Sequence, residues 1–234
     1  MKRYLITVTI VLPCIGAILG WQYLLQQPCT DIHISGMEYI DPESVHSLIG
    51  STFSPPLIVD RLQRHPWIHG VHAVCYPTGT MQIDVNERQP WLLAVSDEGY
   101  PIYYIDEFGF MMPPQRHISF DVPIIRGMDE VYHPMKAVTH QNVQKLVAMI
   151  PTLPAEILTI ISEFEVTDTG LNMILRDSEM NHVLVAQLGN EQWKHRLHKL
   201  RAFWIENDWN QADQVPGMID LRFRGQIITR KKEI

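Results

Sequence analysis

The sequence predicts an α+β protein held behind a single N-terminal transmembrane helix. Three observations carry that expectation. An uncharged apolar segment opens the chain. Strands and helices then follow in the order β-α-α-β-β. A longer second stretch mixes a meander of strands with two helices.

Residues 5–25, LITVTIVLPCIGAILGWQYLL, carry no charge. As a helix they would extend roughly 31 Å, about the thickness of a bilayer core. Lys2 and Arg3 precede the segment and Asp31 is the first charge after it. The positive-inside rule therefore places residues 1–4 in the cytoplasm as a short tail, and everything from about Gln26 outside. Trp21 and Tyr23 stand where an outer aromatic belt belongs, and Pro13 is tolerable inside a membrane helix. The alternative is a cleaved signal peptide, but the run is longer than a usual h-region and QYLLQQPC offers a poor cleavage site. A lipoprotein needs a small residue before its cysteine, whereas Cys14 follows Pro13 and Cys29 follows Pro28.

The part behind the span holds all 26 acidic residues and 17 of the 19 basic ones, a net charge of about −9. That balance argues against a nucleic-acid surface. Cys29 and Cys75 are the cysteines of this part, an even pair in an oxidising compartment. They are either joined as a disulfide or separately buried thiols.

In the first stretch Ile32 and Ile34 alternate with His33 and Ser35, and Gly36 ends the strand. Asp41 as N-cap, Pro42 at the first helical position and Gly50 as C-cap frame a helix. Its Val45, Leu48 and Ile49 share a face. Pro55-Pro56 open a second short helix that stops before Pro66, with Leu57, Ile58, Arg61 and Leu62 at helical spacing. VHAVCY and MQIDVNER are strands joined by PTGT; in the second, Met81, Ile83 and Val85 face one way. These elements define a unit over residues 29–90, with Arg88-Gln89-Pro90 as the joint.

Residues 91–230 form the second unit. WLLAVSDEGYPIYYIDEFGFMMP reads as a meander turning at Asp97-Glu98-Gly99 and at Asp106–Gly109. VPIIRG is a short buried strand. PMKAVTHQNVQKLVAMI, residues 134–150, predicts a helix ended by Pro151. IISEFEV, LNMILRD and HVLVAQLG are three strands. A second helix starts at Asn190 as N-cap, with Trp193, Leu197, Leu200 and Trp204 as its apolar stripe. Finally, Ile219, Leu221 and Phe223 alternate with Asp220, Arg222 and Arg224, predicting one continuous strand over Ile219–Thr229. Residues 231–234 are a tail.

Nothing in the pattern points to catalysis. The chain has no G-x-S-x-G and no Gly-rich phosphate loop, and Cys75 lies in a predicted strand. His65, His69 and His72 are suggestively spaced, but Pro66 breaks any helix there and no carboxylate or cysteine completes a ligand set. His195 and His198 lack the glutamate of a metalloprotease helix. The expectation is a non-enzymatic protein without metal or cofactor.

Taken together, the basic start, the single span, HPWIHGVHAV…MQIDVNERQP, YYIDEFGFMMP, VPIIRG, QLGNEQWKHRLHKL and the terminal IDLRFRGQIITR resemble the bacterial cell-division family FtsQ/DivIB, in its Bacteroidetes-type branch. The resemblance covers nearly the whole chain. It implies that 29–90 is a POTRA domain and 91–230 the family's β domain. It implies a single-pass protein of the cytoplasmic (inner) membrane at the division septum, with its C-terminal domain in the periplasm. The implied role is a divisome scaffold that binds FtsB and FtsL. The implied FtsB-binding residues are Arg196, Leu221, Arg222, Phe223, Arg224 and Gly225, with the terminal strand adding a partner strand to the sheet and Arg196 forking an FtsB carboxylate. Arg224 is an extra cation relative to the family's usual strand. The second reading, from a different class, is an exported POTRA protein of an outer-membrane assembly or secretion system. Such proteins carry several modules or a barrel, whereas one module stands here.

Overall fold

The computed structural model describes residues 29–50, 54–115, 118–176, 183–207 and 216–231. The span expected over 5–25 lies outside these residues. Among the described residues no helix is long and apolar enough to cross a membrane. The chain divides into two units between Arg88 and Gln89.

The first unit runs β1 (Asp31–Ser35), α1 (Pro42–Ile49), α2 (Pro55–Leu62), β2 (Ile68–Cys75) and β3 (Thr80–Glu87). Its three strands lie in the order β1-β3-β2, with β1 parallel and β2 antiparallel to β3. Helix α1 begins where the local chemistry demands. The Asp41 carboxylate accepts the Glu43 N–H at 3.3 Å, Pro42 needs no donor partner, and Gly50 ends the helix at φ 59°. Val45 and Ile49 of α1, Ile58 and Leu62 of α2, and Met81, Ile83 and Val85 of β3 are buried, with Trp67 among them. Leu57, at a helical spacing that suggested a shared face, is exposed instead.

Two ties close this unit. The buried Glu87 carboxylate at the end of β3 accepts the backbone N–H groups of Glu38 (3.1 Å), Tyr39 (2.9 Å) and Ile40 (2.8 Å). It thereby pins the loop between β1 and α1. Cys29, 1% exposed, is disulfide-bonded to Cys75 at the end of β2, with Cα atoms 6.1 Å apart. The link spans 46 residues. Reduction is expected to destabilise the unit by about 3 kcal/mol, mainly by freeing the unfolded chain. Thermal unfolding with and without reductant measures it; coincident curves would contradict the expectation.

The second unit is built on one nine-stranded sheet. Its strands are β4 (Pro90–Val95), β5 (Pro101–Asp106), β6 (Met111–Met112), β7 (Ile124–Arg126), β8 (Ile161–Thr167), β9 (Gly170–Arg176), β10 (Val183–Gly189), β11 (Met218–Asp220) and β12 (Ile228–Arg230). They lie in the order β12-β11-β10-β9-β8-β7-β4-β5-β6. The pairs β4–β7, β7–β8 and β10–β11 are parallel and the rest antiparallel. Helices α3 (Gln141–Met149), α4 (Ala155–Leu158) and α5 (Trp193–Glu206) accompany it. Val143 and Leu146 of α3 and Trp193, Leu197 and Leu200 of α5 join Ile125, Phe164, Leu171, Met173 and Leu175 of the sheet in one core.

Three local expectations are corrected. Helix α3 starts at Gln141, not at Pro134. Ala137 bridges to Phe110, the Val138 N–H donates to the Gly109 carbonyl at 2.8 Å, and Glu130 accepts the Thr139 and His140 N–H groups at 2.5 and 3.2 Å. Those bonds fix residues 137–140 outside the helix. Helix α5 starts at Trp193, capped by Gln192 in a left-handed conformation, not by Asn190. The Trp193 indole N–H donates at 2.6 Å to the Gly189 carbonyl, which holds the chain before it non-helical. The third correction is the terminal strand.

Candidate docking site

The alternation over Ile219–Thr229 is real, but the chain does not run straight through it. It forms β11, a loop over residues 221–227, and β12 folded back antiparallel on β11, with Ile219 opposite Thr229. β11 sits parallel beside β10, and the Leu221 N–H still reaches the Gln187 carbonyl at 3.1 Å. Gly225, at φ 71° with open space around its α-carbon, provides the bend. Among the described residues β12 is thus the end strand of the sheet.

Helix α5 supplies cations that meet the chain where the strand breaks. Trp193, Arg196 and Lys199 lie three residues apart, on one side of the helix. Arg196 Nη1 donates to the Leu188 carbonyl and its Nη2 approaches the Arg222 carbonyl at 3.5 Å. Lys199 Nζ donates to the Leu221 carbonyl at 3.1 Å and to that of Phe223 at 2.8 Å. These carbonyls face side-chain cations where a continuous ladder would have offered them to a strand.

The sequence-named residues therefore gather at one corner but differ in what they present. Leu221, expected among the contact residues, is fully buried in the core, so its side chain is a packing element. Arg222 folds back on Asp220 as a fork, Nε to Oδ1 at 2.9 Å and Nη2 to Oδ2 at 2.7 Å, and its own N–H reaches the same carboxylate at 3.0 Å. Arg196 is turned toward backbone carbonyls. Phe223 is 44% exposed, and Arg224 and Gly225 are exposed beside it. Cys29 and Cys75 lie in the other unit, as a structural tie. Sequence reading missed Lys199; its signal was a cation three residues beyond Arg196 on a helix whose neighbouring Trp193, Leu197 and Leu200 are core.

The Arg222 fork holds the Asp220 carboxyl below its usual range. The Arg222 N–H and the charges of Arg222 and Arg230 act the same way, and burial opposes them. A lowered folded value means that this contribution is complete above about pH 4 and is lost as the pH falls through the folded value. Asp220→Asn is thus expected to flatten the fall of stability below about pH 4. Urea midpoints of both proteins between pH 2 and 5 test this, and parallel curves would contradict it.

Fold and corner describe a two-unit α+β protein whose extended sheet ends in a hairpin bound by helix-borne cations. The FtsQ/DivIB C-terminal related family matches residues 90–230. A cell division protein FtsQ of Rhodothermus marinus is 32% identical over 240 residues, covering 99% of this chain and 87% of its own length. A cell division protein FtsQ of Salinibacter ruber is 29% identical over 227 residues, covering 93% and 88%. The chain belongs to the FtsQ/DivIB family of cell-division proteins.

Proposed function

We propose that the protein is a non-enzymatic scaffold of the divisome, anchored in the cytoplasmic membrane through residues 5–25. Its exported part holds a POTRA domain and a β domain, and it binds FtsB, and FtsL with it, at the terminal corner. The observation that carries this reading is the hairpin edge. β12 is a three-residue end strand, and the partly exposed Phe223 and exposed Arg224 stand next to it. An FtsB strand added to β12 would gain backbone hydrogen bonds, with Phe223 as an apolar anchor and the surrounding cations favouring an acidic segment. A shared membrane raises the effective concentration of both partners, so a modest edge suffices. The oxidising periplasm would keep Cys29–Cys75 closed.

The test uses the full-length chain in detergent micelles with the periplasmic segment of FtsB from the same organism. A photo-cross-linker at Thr229 is expected to capture FtsB. Phe223→Ala is expected to weaken binding about tenfold, as for an exposed aromatic anchor. Capture at Thr229 lost together with Phe223 supports the site. Binding with neither cross-link nor sensitivity to Phe223 moves it elsewhere.

A further inference from the structure

The Lys199 contacts decide the backbone path of the corner. Its ammonium lies 3.1 Å from the Leu221 carbonyl oxygen and 2.8 Å from that of Phe223, so those oxygens are no more than 5.9 Å apart. In an extended strand, carbonyls two residues apart point the same way and are separated by two rises, about 6.7 Å. One ammonium holding both therefore shortens the chain below strand length. The same segment alternates in sequence as a strand should, so its local preference and its observed path conflict. The path follows the cation. Arg196 acts one helical turn earlier, at the Leu188 and Arg222 carbonyls, and Gly189 leaves room for it: an added Cβ there would come within 2.9 Å of Arg196 Nη1.

We propose that Lys199 is a positioning residue of the docking corner, drawing residues 221–223 out of the extended conformation so that Phe223 stands at the end of the sheet. This rests on the docking reading above and adds its cause: the corner is pre-shaped by a helix cation before any partner arrives. Pre-shaping cuts the ordering cost of binding, so its loss appears as weaker affinity without loss of a direct contact.

The experiment compares full-length protein with Lys199→Met, which keeps the apolar stem, and Lys199→Arg, which keeps the donors. Amide hydrogen exchange is read at Leu221 and Arg222, whose N–H groups are bonded to the Gln187 carbonyl and the Asp220 carboxylate, and at β10; affinity is read for the periplasmic FtsB segment. Lys199→Met is expected to speed exchange at 221–222 about tenfold, leave β10 unchanged and weaken FtsB about tenfold. Lys199→Arg is expected to restore both. Unchanged exchange at 221–222 overturns the proposal, as does faster exchange with unchanged affinity. If the Met variant loosens throughout the sheet, Lys199→Gln takes its place with the same readouts. Loosening throughout in that variant also overturns the proposal, because Lys199 would then support the whole unit. If the unaltered protein fails to bind FtsB, the docking reading falls, while exchange at 221–222 still decides whether Lys199 sets the path.

Discussion

Glu87→Ala is expected to lower the stability of the first unit by about 5 kcal/mol. Three consecutive backbone N–H groups, of Glu38, Tyr39 and Ile40, end on this one carboxylate, which is only 8% exposed. Hydrogen bonds to a charged group contribute roughly 1.5–3 kcal/mol each, and truncation leaves the donors without their acceptor. The loss is not shared evenly. The loop from Gly36 to Ile40 joins β1 to α1, so releasing it loosens both. Gly36 cannot move aside: at φ 81° its backbone is packed so closely on the Val85 carbonyl that a Cβ would overlap it. Glu87→Gln keeps an acceptor without the charge and is expected to fall between. Hydrogen exchange at residues 38–40 and in β1, together with urea unfolding, measures the effect. A loss below about 1 kcal/mol in the Ala variant would show that water replaces the carboxylate in this loop.

Gly170→Ala is expected to be nearly as damaging in the second unit, at about 4 kcal/mol, and to reach the candidate docking corner through β10. Gly170 has φ 129°, a region closed to other residues, and an added Cβ would overlap the Gly189 carbonyl carbon. The obstacle is backbone, so no side-chain rotation relieves it. Gly189 is the residue whose carbonyl holds the Trp193 indole, and the Leu188 carbonyl beside it holds Arg196. Pushing β10 away from β9 there should disturb the start of α5 and, through it, Arg196 and Lys199. The expected result is a lower urea midpoint and weaker FtsB binding together. A variant with the parent's midpoint would mean that the turn at 168–170 can rearrange around the methyl group.

Much of the architecture was legible because it is set locally. Asp41, Pro42 and Gly50 bound α1 by capping chemistry, and the alternation of Met81, Ile83 and Val85 gives β3 and its buried face. The extended mixed sheet likewise follows from short alternating runs between turn residues. What was not legible depends on partners far away in sequence. Residues 134–140 have helical composition, but the bridge to Phe110 and the Glu130 carboxylate hold 137–140 in a loop. Ile219–Thr229 has the pattern of one strand, but Gly225 turns it back, and its Leu221 and Phe223 carbonyls meet Lys199, more than twenty positions earlier. The residues named from sequence do come together, since Arg196 meets the Arg222 backbone. Their exposure was not legible: alternation alone does not tell a buried Leu221 from an exposed Phe223 when the strand folds back.

The disulfide has a mechanical consequence. Cys29 stands two residues ahead of β1 and is bonded to the last residue of β2. Tension applied through the segment preceding residue 29 crosses the disulfide to Cys75 and continues through residues 76–79 and β3 to the joint at Arg88. The five-residue β1, joined to β3 by a short parallel ladder, lies inside the closed loop with both helices and β2, and is bypassed by the load. Without the bond, the same pull would draw β1 lengthwise along its parallel neighbour β3, whereas the covalent shortcut leaves that ladder unloaded.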